Sequence, residues 1–459
     1  MRLILAAIAL SLSTVASFAQ TTVPLSEPQI KLSFAPLVKQ IVPSVVNIYA
    51  ERIVKDQQTG FANDPFFSDL FENFGRSPRV QNSLGSGVVL STDGIIVSNF
   101  HVIAGATDIR VVLSDRREFD AQILLADEQS DLAVLKIAAV SDLVPLPLRP
   151  ASQVEVGDLV LAVGNPFGVG QTVSSGIISG LARSGGAVGN ARAYFLQTDA
   201  PINPGNSGGA LVDMSGALVG INTSILSRSG GSNGIGFAIP ADLVAAFLKQ
   251  ARAGNTRFVR PWAGMVGQLV DTALAQQFAL SRPEGMAVVE LHPESPFATT
   301  GIKVGDVVLA INGNPVNGPA EMLYHMSVLG TGTEALIDYV SDGSKHSASV
   351  RMIAAPEIPP RDTQAITTPS PLEGLTLSQI NPAVGAEIGL PVSAKGVVVQ
   401  AVSGFAAQIG FRPGDILVAV NGQAIESVAD AQTAAQIRAA IWDITIGRGG
   451  QQLSMRFQQ

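Results

Sequence analysis

The chain has 459 residues, a formal net charge of −8, 46 glycines and no cysteine, and 46% of its residues are hydrophobic. This length exceeds one hydrophobic core and suggests about three domains at roughly 100–200 residues each, while the acidic balance excludes the basic face that nucleic acid requires. The missing cysteine excludes disulfides, a thiol nucleophile and thiolate metal sites, and the four histidines show no zinc-ligand spacing, so neither a metal nor another cofactor is expected.

Residues 1–19 read as a cleavable secretory signal. Met1-Arg2 is followed by an apolar run from Leu3 to Leu12 and by Ser17-Phe18-Ala19, which places small residues at the −3 and −1 positions of a cleavage site. The run is shorter than the ~20 residues that span a bilayer. Later apolar runs are interrupted by charge, Gly or Pro, so no stable membrane span and a periplasmic mature protein are expected.

Residues 20–255 read as the first domain. Ser44–Ala50 is its first strand, and residues 51–83 form a long loop rich in Asp, Asn, Pro and Phe. Val88–Leu90 and Ile95–Val97 flank an Asp93-Gly94 turn, a strong hairpin signal. Short strands follow at Ile109–Leu113, Asp131–Ile137, Leu159–Val163, Leu211–Val212 and Leu218–Asn222, and a helix is expected over Ala241–Arg252. Many short strands with Gly-rich turns argue for a β-barrel or sandwich.

The remainder holds an internal repeat. Gly301–Val316 (GIKVGDVVLAINGNPV) and Gly410–Ile425 (GFRPGDILVAVNGQAI) each read as one strand between a Gly-Asp and an Asn-Gly turn, with a further strand upstream at Met286–Leu291 and Val397–Val402. Two copies so far apart mean two small homologous domains rather than a solenoid. Their expected bounds are 256–353 and 372–459, separated by a Pro- and Thr-rich, semi-extended linker over 354–371.

The sharpest chemical motif is Gly205-Asn206-Ser207-Gly208-Gly209. Acyl transfer needs a nucleophile on a tight turn with backbone N–H groups aimed at the developing oxyanion, and glycines around Ser207 permit that. The N–H groups of Gly205 and Ser207 would form the oxyanion hole, with Asn206 between them. His101 lies where the hairpin strand ends and suits a general base near neutral pH. Asp131 opens an apolar strand and is the expected partner of that imidazole, with Asp127 as the competing carboxylate. The chain order His, Asp, Ser is that of chymotrypsin. His292, His325 and His346 read as surface or structural residues.

The blocks SNFHVIAGA, SDLAVLKI, AVGNPFG, GIIS, QTDAPINPGNSGGAL, GINT and GIGFAIP resemble those of HtrA/DegP proteases, and the two repeats resemble that family's PDZ domains. The resemblance implies a mainly β protein: a chymotrypsin-like double β-barrel protease domain, with the site between the barrels, followed by two PDZ domains. It also implies ATP-independent cleavage of misfolded envelope proteins, chaperone-like holding of unfolded chains, and a homotrimer able to build larger cages. Arg183 falls where the family has an arginine that relays activation, and the segment around DPFFSDLF resembles a regulatory loop, though a shorter one.

In this barrel type the specificity pocket is lined just upstream of the serine and by the strand after it, here Pro201, Ile202, Thr223, Ser224 and Ile225. No acid is present there to pair a substrate Lys or Arg, so a shallow apolar slot accepting Val, Ala or Ile is expected. Each PDZ domain would take extended peptide C-termini by strand addition, through Trp262-Ala263-Gly264-Met265 in the first and Leu372-Glu373-Gly374-Leu375 in the second, where Glu373 would repel a carboxylate. Two rival readings are a chaperone on an inactive protease scaffold and a narrow-specificity signalling protease.

Overall fold

The computed structural model describes residues 33–53, 80–138, 140–165, 171–185, 190–203, 205–225, 233–278 and 280–458. The expected leader over residues 1–19 and most of the 51–83 loop, including DPFFSDLF, lie outside the described residues.

After α1 (Ala35–Ile41), seven strands build the first sheet: β1 (Val45–Ile53), β2 (Val80–Val89), β3 (Ile95–Ser98), β4 (Asp108–Val112), β5 (Glu118–Asp120), β6 (Gln122–Asp127) and β7 (Leu132–Lys136). Their order is β5-β4-β1-β2-β3-β7-β6, and a short helix, α2 (Phe100–Ile103), follows β3. The Asp93-Gly94 turn is present, with Gly94 at φ +92° and its Cα against the carbonyl of Ile137, where only a residue without a side chain fits. The central strands read as continuous apolar runs because both faces are buried. Val46, Ile48, Ile96, Ala133 and Leu135 face the core of this sheet, whereas Val45, Val97, Leu132 and Val134 face the second barrel. The period-2 alternation of a strand thus sorts the residues between two apolar layers.

The second barrel is closed. It comprises β8 (Leu159–Gly164), β9 (Thr172–Gly185), β10 (Asn190–Thr198), β11 (Ala210–Asp213), β12 (Leu218–Ile225) and β13 (Gly236–Pro240), in the order β10-β13-β12-β11-β8-β9. The helix α3 (Ala241–Arg252) has the bounds that the sequence predicts, and its Leu243, Val244, Phe247 and Ala251 seal the layer between the barrels.

The first repeat domain contains β14 (Met265–Leu269), α4 (Thr272–Gln277), β15 (Met286–Leu291), β16 (Val307–Ile311), β17 (Asn314–Pro315), α5 (Pro319–Leu329), β18 (Glu334–Ser341) and β19 (Ser344–Arg351). Its sheet runs β14-β15-β16-β18-β19, so β14 is an edge strand. The second contains β20 (Gln364–Ala365), β21 (Leu375–Gln379), α6 (Pro382–Ile388), β22 (Val397–Val402), α7 (Gly404–Gln408), β23 (Ile416–Val420), β24 (Gln423–Ala424), α8 (Val428–Ala435), β25 (Ile441–Arg448) and β26 (Gln451–Gln458). The repeated motif encodes one device twice. Asp306 and Asp415, each 1% exposed, accept from the N–H groups of Lys303 (2.9 Å) and Arg412 (2.8 Å) to close the entry turn. Asn312 and Asn421, at φ +49° and +50°, form the exit turn and accept from Leu336 N–H (2.8 Å) and Asp443 N–H (2.9 Å).

The linker expected over 354–371 requires correction. Gln364 and Ala365 pair with Leu377 and Thr376 as a strand, and Ile366 is 4% exposed within the second repeat domain's core. The Pro/Thr composition suggested a free spacer, but burial of one β-branched apolar side chain and the backbone pairing of β21 hold the segment in place.

The first repeat domain also packs on the barrels. Tyr324 of α5 stacks on Tyr194 of β10 with centroids 3.9 Å apart and planes 7° from parallel. Burial raises the Tyr324 phenol well above the ordinary tyrosine range. Among the described residues, no helix is long and apolar enough to cross a membrane.

Candidate active site

The site forms where the ends of β3, β7 and β12 meet the loop between β10 and β11. Asp131 sits one residue before β7, not within it, at φ +52°. This left-handed conformation, which Asp tolerates better than most residues, turns its carboxylate back toward α2. There Oδ1 accepts from the His101 backbone N–H (3.0 Å), and His101 Nδ1 lies 2.9 Å from Oδ1 and 2.8 Å from Oδ2. Asn99 Nδ2 donates to the Asp131 carbonyl at 2.9 Å, fixing the backbone of the same residue. A proton on Nδ1 donates to the carboxylate, and this tautomer leaves the lone pair on Nε2.

The competing carboxylate is committed elsewhere. Asp127 accepts from Arg260 Nη1 at 2.9 Å and from Arg260 Nη2, and caps the Ser130 N–H at 2.7 Å. Arg260 stands two residues before Trp262, so Asp127 ties the barrels to the first repeat domain.

Ser207 is 5% exposed and its Oγ donates to the Thr223 carbonyl at 3.0 Å. Thr223 Oγ1 in turn donates to Asp131 Oδ2 at 2.6 Å. Thr223, expected as a pocket wall, is therefore a support of the carboxylate. Its place in the strand after the serine suggested a wall, and the partner 92 residues earlier in sequence gave no local signal.

The turn carrying Ser207 is held from both the first sheet and the closed barrel. Gly205 is at φ +94°, Asn206 N–H donates to the Asn203 carbonyl at 2.9 Å, and Thr172 Oγ1 donates to Asn206 Oδ1 at 2.6 Å. Asn206 thus braces the turn. Among the described residues, the N–H groups of Gly205 and Ser207 donate to no protein acceptor. From the first sheet, the Ser86 N–H donates to the Ser207 carbonyl (2.8 Å). The Ser86 hydroxyl donates to the Gly205 carbonyl (2.6 Å) and accepts from the Asn165 N–H (2.8 Å). Gly208, at φ +79°, lets the Ser86 carbonyl approach to where a Cβ would be only 2.1 Å away.

Sequence reasoning missed Ser86, whose position in GSG is its only local signal. The Ser86→Ala protein is expected to lose roughly 10–100-fold in kcat with little change in KM, because a turn misplaced by about 1 Å costs about that much. Two buried groups left without a partner would also lower its stability by about 1–3 kcal/mol. Steady-state kinetics on a short peptide substrate, with thermal melting alongside, check both effects.

Ile202 is 1% exposed, with its Cδ1 2.8 Å from where a Cβ on Gly236 would sit. The backbones of Ser224 and Ile225 lie in β12 opposite Phe237 and Gly236. Their side chains, and that of Arg183 in β9, lie outside the described residues.

In the first repeat domain, Trp262 N–H donates to the Ile353 carbonyl (2.8 Å), the Ala263 carbonyl accepts from Ser295 Oγ (2.6 Å), and Gly264, at φ +60°, accepts from His292 N–H (2.7 Å). Met265 then opens β14. Beside it opens a cleft lined on this side by Gly264, Met265, Gly267, Met322 and Met326; the cleft, about 1330 Å³ in all, is shared with the second repeat domain, which contributes Pro382, Leu390 and Ile416 among others. In the second repeat domain, Leu372 is fully buried, Glu373 is exposed, Gly374 is at φ +93° and Leu375 opens β21. His292 lies edge-on to Trp262, and burial lowers the His325 pKa below its ordinary value. No group of three or more potential metal ligands occurs among the described residues.

Residues 85–221 match the family model of a trypsin-like peptidase domain, and residues 269–352 and 397–440 each match a PDZ domain. The chain is 36% identical over 457 residues to a probable periplasmic serine protease do/HhoA-like of Haemophilus influenzae, covering 96% of this chain and 94% of that one. It is 34% identical over 477 residues to the periplasmic serine endoprotease DegP of Escherichia coli K12, covering 98% and 97%. Among solved structures it is similar to the HtrA-type protease AlgW with decapeptide, at 36% identity and a TM-score of 0.53, covering 71% of this chain and 99% of that one.

Proposed function

Since the chain belongs to the HtrA/DegP family of serine endoproteases with PDZ domains, we propose that it cleaves unfolded proteins in the periplasm with Ser207 as nucleophile, His101 as general base and Asp131 as the group that orients and charges the base. The observation that carries this reading is the pair of 2.8 and 2.9 Å contacts between His101 Nδ1 and the Asp131 carboxylate, with Thr223 bridging that carboxylate to the Ser207 hydroxyl.

Ser207 Oγ adds to the scissile carbonyl as its proton passes to His101 Nε2, and the imidazolium is stabilised by Asp131. The negative charge on the carbonyl oxygen is met by the N–H groups of Gly205 and Ser207, where fixed dipoles in a water-poor site act most strongly. Collapse of the tetrahedral adduct returns the proton to the leaving amine and forms the acyl-enzyme. A water activated by the same base releases the new C-terminus. Before attack the hydroxyl must rotate away from the Thr223 carbonyl.

Substrate choice follows from Ile202. Its side chain fills the space beside Gly236, which supports a shallow apolar slot, and no acid stands among Pro201, Ile202, Thr223, Ser224 and Ile225. Small aliphatic residues fit such a slot, and because they are buried in folded proteins, unfolded chains are selected. The first PDZ domain takes peptide C-termini along the open edge of β14, with the cleft beside α5 receiving alternate side chains. Digestion of unfolded β-casein by the mature protein, with cut sites mapped by mass spectrometry, is expected to show cleavage mainly after Val, Ala and Ile. A majority of cuts after Lys, Arg or large aromatics would remove the slot argument.

A further inference from the structure

We propose that residues 361–366 are a built-in ligand of the second PDZ domain, so that external peptide C-termini bind this chain at the first PDZ domain alone. This rests on the reading above that the edge of β14 is a peptide site.

The two domains present equivalent edges. In the first, β14 follows the loop at Trp262–Met265 and, among the described residues, has no strand on its outer side. In the second, β21 follows the corresponding loop at Leu372–Leu375, and its outer side is taken by β20. The pairing is antiparallel, Gln364 to Leu377 and Ala365 to Thr376. The segment therefore runs toward the loop, the direction in which a peptide C-terminus approaches when it adds as a strand.

Its last residue occupies the terminal position of such a peptide. The Ile366 carbonyl accepts from the Gly374 N–H at 2.9 Å, and the Ile366 N–H donates to the Leu375 carbonyl at 2.8 Å. The loop amide that would capture a carboxylate is thereby committed. The Ile366 side chain is 4% exposed, in the same cluster as Leu372, Leu375 and Leu377 of the loop and strand and Val428, Ala431 and Ala435 of α8.

The other end is anchored independently. The Arg361 carbonyl accepts from Gln379 N–H at 2.7 Å, and its guanidinium bonds Glu387 at 2.9 and 3.0 Å as well as Glu357. Thr363 Oγ1 meets Ser378 Oγ at 2.7 Å. Only residues 367–371 separate the segment from the loop it fills. A tether this short gives an effective concentration on the order of millimolar, against which a free peptide at micromolar concentration does not compete.

The test uses full-length mature protein carrying Ser207→Ala. Because the chain has no cysteine, Ala365→Cys with Thr376→Cys places the only two thiols directly opposite each other across β20 and β21. These are expected to oxidise to a disulfide in nearly every chain. A fluorescent, photo-reactive peptide with a free, apolar C-terminus is expected to bind once per chain, before and after oxidation, and to cross-link to the first PDZ domain. Arg361→Ala with Ile366→Asp, in a chain that also carries Glu373→Gln to remove the charge that would repel a carboxylate, is expected to add a second site, whereas Ile366→Val keeps one. Burial of Trp442, monitored by its emission, reports that the second domain stays folded in each variant.

Two peptides bound per unmodified chain, with one lost on oxidation, would overturn the proposal. So would a folded release variant that still binds once, or a cysteine pair that stays reduced under oxidising conditions. If no peptide binds anywhere, the reading of β14 fails. The built-in ligand is then decided by disulfide formation and by whether hydrogen exchange at the Gln379 amide accelerates only in the release variant.

Discussion

Mature Ser207→Ala protein is expected to lose about 10⁵–10⁶-fold in kcat on a peptide substrate, in line with removal of the nucleophile from a serine protease site. The fold should be retained. Among the described residues the lost Oγ makes one bond, to the Thr223 carbonyl, and removing a single hydrogen bond of this kind costs about 1 kcal/mol. The backbone bonds that set the turn, from Ser86 to Ser207 and from Gly208 to Asn222, do not involve the side chain. Parallel assays of casein cleavage and of aggregation of a denatured client protein separate two activities. Lost cleavage with retained suppression of aggregation means that the chain also holds unfolded proteins. Cleavage undiminished in Ser207→Ala would place the nucleophile elsewhere.

The Asp131→Asn protein is expected to fall about 10⁴-fold in kcat with KM nearly unchanged. Asparagine tolerates the left-handed backbone at φ +52°, and its carbonyl oxygen still accepts from the His101 or Thr223 donors. The amide NH₂, however, cannot accept from Nδ1–H. The imidazole is driven to the tautomer whose proton lies on Nε2, where it cannot take the serine proton. The informative control is Asp127→Asn, which weakens the pair with Arg260 but touches neither His101 nor Ser207, and should change kcat by less than about 10-fold. Equal losses in the two variants would contradict the assignment of Asp131.

Much of this site is written in short stretches of sequence. GNSGG requires a turn that only glycine-flanked residues adopt, Asp-Gly marks the hairpin that delivers His101, and the apolar run after Asp131 marks the strand that it precedes. Likewise the twin GD and NG turns carry enough local chemistry to define each repeat. The elements not legible are those decided by distant partners. Thr223 meets Asp131 across 92 residues, and Asp127 meets Arg260 across 133. Ser86 acts on a turn 119 residues away. Residues 361–366 look like spacer because proline and threonine dominate their neighbourhood, and only the unpaired edge of β21 converts them to a strand.

The Arg260–Asp127 pair has a thermodynamic consequence. Asp127 caps Ser130, the residue before Asp131, while Arg260 enters the loop that starts at Trp262. The loop proposed to take peptide and the carboxylate proposed to orient the base are thus attached to opposite ends of one ion pair, in which the side chains are 16% and 14% exposed. Whatever factor an occupied peptide site applies to the affinity of Ser207 for a transition-state analogue, that analogue must apply to the affinity for peptide. Titrating the same labelled peptide with and without a saturating, reversible transition-state analogue therefore measures, from the far side, how tightly this molecule links recognition to chemistry.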